Sequence, residues 1–114
     1  MGPVVDAEWA LIHMQRALWD PVDPRFIGSL ADSLHYRVNG EVYRFSSRLT
    51  MRRFKRAPVQ WCGVVRDPVT GNRFLPSIHS PELYWGGGPY FFESDSTKRL
   101  FTDAPHKFEV IRRI

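Results

Sequence analysis

The chain has one cysteine, Cys62, in 114 residues. A single thiol excludes an internal disulfide and any metal site built from several thiolates of one chain. Cys62 reads as a small buried hydrophobe rather than a reactive group. Long hydrophobic runs are lacking too, since no stretch nears the roughly 20 apolar residues that span a bilayer. The opening "MGPVVDAEWALIHMQRALWD" has no basic stretch ahead of an apolar one, so no signal peptide is expected. No nucleophile triad, carboxylate pair or phosphate loop stands out. "WGGGP" at 85–89 has no Lys-Ser/Thr after it and falls in a hairpin pattern, so it reads as a turn. A cytoplasmic protein with no membrane span and no cofactor is the expectation.

Aromatics are abundant at 14%, with four Trp, which suits a small fold because each large ring buries much area. The net charge of +4 is uneven. Residues 20–66 hold nine Lys/Arg against four Asp/Glu, residues 67–114 hold six of each, and residues 1–19 hold one Arg against two acids. An electrostatic partner would therefore meet the middle of the chain first.

An internal repeat organises the sequence. Asp20-Pro21-Val22 returns as Asp67-Pro68-Val69, and at that constant offset of 47 there are 13 identities over residues 20–61. Among them are Gly40/Gly87, Tyr43/Tyr90, Phe45/Phe92, Ser47/Ser94, Thr50/Thr97, Phe54/Phe101 and Ala57-Pro58/Ala104-Pro105. The chain divides into an N-terminal arm at 1–19, a basic first unit at 20–66 and a second unit at 67–114.

Each unit predicts a hairpin and then a helix. Asn39-Gly40 signals a two-residue turn, because both positions need positive φ. It sets Val38 opposite Glu41 and Tyr36 opposite Tyr43. Leu34, Tyr36, Val38, Tyr43 and Phe45 then share a core face, while His35, Arg37, Val42 and Arg44 share a face expected to be mostly solvated. Gly86-Gly87 supplies the second turn, with Leu83, Trp85, Tyr90 and Phe92 inward. The opposite face there carries Tyr84 and Phe91, where the first unit has Arg37 and Arg44. That apolar face packs on the first unit or on the arm, or it meets a partner. Ser47 and Ser94 are candidate N-caps, and Ala57 and Ala104 precede the prolines that stop each helix. "VQWCGVV" and "KFEVIRRI" read as closing strands. In the arm, Asp6 caps an expected helix whose apolar stripe includes Trp9.

The unit resembles the YHS domain, a relative of the TRASH family of treble-clef-like metal-binding modules. "DPVTGNRF" is similar to the family's Asp-Pro-Val-Cys-Gly-Met opening. "LYWGGGPYFFESDSTKRLFTDAPHKF" is similar to its glycine turn, Tyr-Phe-Cys-Ser segment, second cysteine, phenylalanine and closing Asp-Pro-x-x-Tyr. With the arm read as a helix, the expectation is an α+β fold: an N-terminal helix followed by two tandem ββα units of this type sharing one aromatic core. The resemblance places the family's cysteines at Asp23, Ser46 and Thr50, and at Thr70, Glu93 and Thr97. None of these is a cysteine, and hydroxyls with a lone carboxylate hold zinc or copper(I) poorly. A histidine-based substitute would need His79 and His106 to approach Glu93; otherwise His13, His35, His79 and His106 are surface or loop residues.

Three functional readings follow. The first is a non-catalytic interaction or structural module, and the resemblance implies an accessory small subunit of a larger oxygenase-type oxidoreductase complex. The partner-binding candidates are Arg44, Arg48, Arg52, Arg56, Tyr84, Phe91 and Trp9. The second is nucleic-acid binding, because Arg48, Arg52 and Arg56 recur every four residues as one helical stripe. The bland alternative for that stripe is a solvated helix face. The third is an enzyme acting alone through Asp20 or Asp67, against which stands the common use of Asp-Pro to open a turn.

Overall fold

The computed structural model describes residues 19–110. The expected N-terminal helix, with Asp6 and Trp9, lies outside the described residues. The described chain begins with a loop held closed by the Asp20 amide donating to the Phe26 carbonyl at 3.0 Å. Within it, the Asp20 carboxylate accepts from the Val22 and Asp23 amides at 2.8 and 3.1 Å, the local turn that Asp-Pro favours.

After a single 3-10 turn at Asp32–Leu34 come β1 (His35–Val38) and β2 (Glu41–Arg44). Asn39 and Gly40 have φ of 51° and 76°, as the tight turn demands. The register is the expected one, with Val38 opposite Glu41 and Tyr36 opposite Tyr43. Then comes α1 (Arg48–Arg56), capped by the Ser47 side chain, which accepts from the Thr50 amide. The second half follows suit. Strands β5 (Glu82–Trp85) and β6 (Gly88–Phe91) pair across Gly86-Gly87, and Ser94 caps the nine-residue helix α3 (Asp95–Asp103). Between the halves, β3 (Val65–Arg66) and β4 (Arg73–Phe74) pair across the loop opened by Asp67. The molecule is thus mixed α+β, with three separate two-stranded antiparallel sheets among the described residues.

The expected closing strands are corrected. Residues 58–61 and 105–108 form single helical turns, α2 (Pro58–Trp61) and α4 (Pro105–Phe108). The proline that ends one helix begins the next: its missing N–H is no loss at a first helical position, and its φ is already helical. Ala57 and Ala104 make the break with φ/ψ near −147°/69° and −146°/65°. Of the first segment only Val65 enters a strand, and residues 111–114 lie outside the described residues.

Two aromatic clusters form the core where one shared core was expected. Val38, Tyr43, Phe45, Phe54, Cys62, Val65 and Phe91 make the first, and Tyr90, Phe92 and Phe101 the second. Their ring geometry recurs. Phe54 meets Tyr43 at 5.0 Å and 37° and Phe45 at 5.1 Å and 63°. Phe101 meets Tyr90 at 4.8 Å and 37° and Phe92 at 5.4 Å and 60°. Phe45, Phe54, Phe92 and Phe101 are fully buried, each worth about 1.5–3 kcal/mol relative to exposure.

Phe91 belongs by sequence to the second hairpin but packs in the first cluster. It is brought there by Asn39. The Asn39 side-chain amide donates to the carbonyls of Arg66 and Phe91 at 2.7 and 3.0 Å, and its oxygen accepts from the Phe91 amide at 2.7 Å. The Asn39 backbone amide donates to Pro89 at 3.0 Å. One turn residue thereby joins β1, β6 and the end of β3. The backbones approach so closely that a Cβ on Gly88 would collide with the Arg37 carbonyl.

Candidate functional site

Two buried aspartates organise the positions singled out by sequence. Asp20 and Asp67 are both 0% exposed. Oδ2 of Asp20 accepts from the Ser46 amide at 2.9 Å, the Ser46 hydroxyl at 2.8 Å and the Thr50 hydroxyl at 2.6 Å. With the Val22 and Asp23 amides on Oδ1, the carboxylate's acceptor capacity is filled. Asp67 repeats the pattern. Its Oδ1 takes the Val69 and Thr70 amides at 2.8 and 3.3 Å, and its Oδ2 takes the Glu93 amide at 3.0 Å and the Thr97 hydroxyl at 2.7 Å. Each aspartate ties its loop to the end of a hairpin and the first turn of a helix.

A carboxylate so surrounded is a poor base or nucleophile. Burial pushes the Asp20 carboxyl up, but hydrogen bonds from Thr50, from the Ser46 amide and hydroxyl and from Val22 outweigh it and hold the group below its ordinary value. It stays an anion with no lone pair turned to a substrate.

The six positions carried by the resemblance do come together, three around each aspartate, and they are engaged differently in the two halves. In the second, the Glu93 carboxylate closes the opening by accepting from the Thr70 hydroxyl at 3.1 Å and the Asn72 amide at 3.2 Å. In the first, Asp23 turns away to a two-point ion pair with Arg25, at 2.9 Å for each contact. Ser46 and Thr50 give their hydroxyl protons to Asp20, which makes them part of the hydrogen-bond shell that fills that carboxylate. Among the described residues no three His, Cys, Asp or Glu side chains converge as a metal-ligand set. His106 lies beside Trp85 and Glu109, with its Nδ1 3.6 Å from the Glu109 carboxylate.

Left open, the first half keeps a groove of about 590 Å³ between the 20–26 loop and α1. Val22, Phe26 and Leu49 give it apolar walls, with Arg25 and Arg53 at its edge. Phe26 is 53% and Leu49 58% exposed. Arg48, Arg52 and Arg56 are exposed beside it on α1. Among the described residues none of Arg48, Arg52, Arg53 and Arg56 forms an ion pair with a carboxylate, though Arg53 lies close enough to Asp23 to help hold that carboxyl below its ordinary value, after the larger effect of Arg25. The helix has no acid in its first turn, so Arg48 sits unfavourably at the positive end of the helix dipole. The stripe also sets like charges four residues apart, a further cost to the helix.

The remaining candidates are dispersed. Arg44 is buried at 7% exposure, correcting the expectation of a solvated face. The 27–29 loop lies across it: a Cβ on Gly28 would fall 2.8 Å from the Arg44 Cβ, and the Ser29 amide bonds to Phe45. Phe91 is likewise inside the molecule, at 3% exposure. Tyr84 is exposed and lies near Tyr36, whose phenol is pushed up to about 12 by burial first and then by Tyr84 and Glu82. Trp9 lies outside the described residues. Sequence reasoning missed Phe26 and Leu49; the signal for Leu49 was available, since Arg52, Arg53 and Arg56 are its i+3, i+4 and i+7 neighbours on a helix.

No helix among the described residues is long and apolar enough to cross a membrane. Compared with protein-family models, curated proteins and solved structures, the chain matches none.

Proposed function

We propose that the chain is a non-catalytic interaction module: two tandem ββα units of YHS-like type without the family's cysteines, serving as an accessory small subunit of a larger, oxygenase-type enzyme complex. The observation that carries this reading is the contrast between its polar groups. Asp20 and Asp67 are consumed by structural hydrogen bonds, while α1 exposes arginines that form no ion pair with a carboxylate among the described residues, beside exposed apolar side chains. Such a surface lowers the stability of its own helix, and an oppositely charged surface relieves that cost. The oxygenase setting rests on the resemblance alone. Native pull-down with mass spectrometry, read beside gel filtration, tests the proposal. A larger subunit should co-elute in fixed ratio, and recovery of the chain alone as a monomer would count decisively against it.

A second reading, nucleic-acid binding, has one observation in its favour: the solvent-facing Arg48, Arg52 and Arg56 stripe. It requires a mobility shift with mixed DNA or RNA that weakens steeply with salt. Absence of a shift at low salt ends it.

A further inference from the structure

The groove between the 20–26 loop and α1 combines exposed apolar side chains with exposed arginines. Leu49 lies on the exposed side of the first turn of α1, with Arg52, Arg53 and Arg56 following it at i+3, i+4 and i+7, and lines a groove it shares with Phe26 and Val22. A single exposed leucine is common on a helix; here Leu49, 58% exposed, shares the groove with Phe26, 53% exposed, so that two large apolar side chains line one opening. Among the described residues the arginines around it form no ion pair with a carboxylate, and Asp23, the acid lining the groove, is paired with Arg25 and reaches Arg53 only through the weaker of its charge interactions. The equivalent place in the second half is bridged by Glu93, and the residues matching Leu49 and Arg53 there are Ser96 and Leu100. The second half also exposes Arg99 and Leu100, but the open groove beside an apolar residue at the Leu49 position belongs to the first half.

We propose that this groove docks an acidic protein segment that carries a bulky apolar side chain. The inference rests on the reading of the chain as an interaction module and names the surface and the partner's chemistry. Carboxylates of the segment meet Arg52, Arg53 and Arg56, and its apolar side chain enters between Leu49 and Phe26. Charge complementarity selects an acidic partner, and the apolar walls select a protein over a nucleic acid. Phosphates gain nothing from Leu49. One face of Phe26, the ring on which a base would stack, is covered by the Arg25 guanidinium at 5.6 Å from its centroid.

Fluorescence anisotropy of the full chain tests this with two labelled peptides rich in Glu and Asp, one with a central Phe and one with Ser in its place. The Phe peptide should bind about tenfold more tightly, a ratio just below that for fully burying one such side chain, as suits an open groove. Leu49→Ser should erase that advantage and leave the Ser peptide unchanged, while R52E with R53E should abolish both. These residues are exposed, so each variant should melt no lower than the native protein, and R52E with R53E, which relieves the like-charge stripe, should melt at the same temperature or higher. Equal binding of the two peptides, or indifference of the Phe peptide to Leu49→Ser, overturns the proposal. So does a single-stranded oligonucleotide that displaces the peptide with an affinity Leu49→Ser leaves untouched, which would favour a charge-only nucleic-acid surface. If neither peptide binds while a larger subunit still co-elutes from lysate, the groove assignment fails and the accessory-subunit reading survives. If the Phe peptide binds as described but the chain elutes alone, the reverse holds.

Discussion

Replacing Asp20 with Asn would turn a side-chain N–H toward a group of donors that now share one carboxylate. Hydrogen bonds to a buried charge are worth about 1.5–3 kcal/mol each, so Asp20→Asn should lower the unfolding free energy by about 3 kcal/mol or more in urea titrations. Asp67→Asn should do likewise, since its partners repeat those of Asp20. Neither change should abolish a reaction, because neither aspartate has a free lone pair. Thr50→Val keeps the shape and removes the 2.6 Å bond to Asp20, and should cost about 1.5–3 kcal/mol. The pH dependence has a definite sign. The Asp20 carboxyl is held below its unfolded value, so its stabilisation is complete above the ordinary carboxylate pKa of about 3.9 and is lost as pH falls through the folded one. The stability gap between the native protein and Asp20→Asn should thus shrink below about pH 4; a gap unchanged down to pH 2 would contradict the assignment. The sequence shows the Asp-Pro turn. It does not show Ser46 or Thr50 as partners, 26 and 30 residues away.

The two hairpins provide a controlled comparison within one chain. Gly40 and Gly87 occupy the same position of the repeat, with φ of 76° and 96°. Alanine at either place incurs backbone strain of about 1 kcal/mol or more. At Gly87 a Cβ would meet nothing within 4 Å, whereas at Gly40 it would fall 2.7 Å from the Val110 carbonyl oxygen and collide with the Val110 side chain. Gly40→Ala should therefore lower the melting temperature clearly more than Gly87→Ala, and equal shifts would show that Val110 does not pack there. The turns, the strand register and both capped helices were legible because their signals lie within a few residues of one another. Helices α2 and α4 were not. Four residues carry no period, and a proline that ends one helix also suits the start of the next. The pairing of β3 with β4 was also hidden, being two residues long on each side.

Across the whole molecule, Asn39 is the joint to test. Asn39→Gly preserves the positive φ, as Gly86 does at the matching turn, and removes only the side-chain bonds to Arg66 and Phe91. Three lost bonds at about 1 kcal/mol each predict destabilisation of about 3 kcal/mol. Hydrogen exchange should rise first along β1 and β6 if this residue couples the two halves. Phe91→Ala empties a place in the first cluster and should cost about 3–5 kcal/mol, as in other aromatic cores. A loss below 1 kcal/mol would mean that the halves stand independently.

By itself the sequence determined the local grammar: the repeat at an offset of 47, the two turns, the two capped helices, and the aspartates as turn formers. Each of these depends on backbone preferences acting over a few neighbouring residues. Only the tertiary structure decided which faces are shared and which are left to solvent. It took Arg44 and Phe91 inside, drew Asn39 across to the second hairpin, closed one loop with Glu93 and left the other open beside Leu49. Those outcomes depend on burial between segments distant in the chain, where a polar group must find a partner and a ring must fill a gap, and no local pattern encodes which partner is within reach.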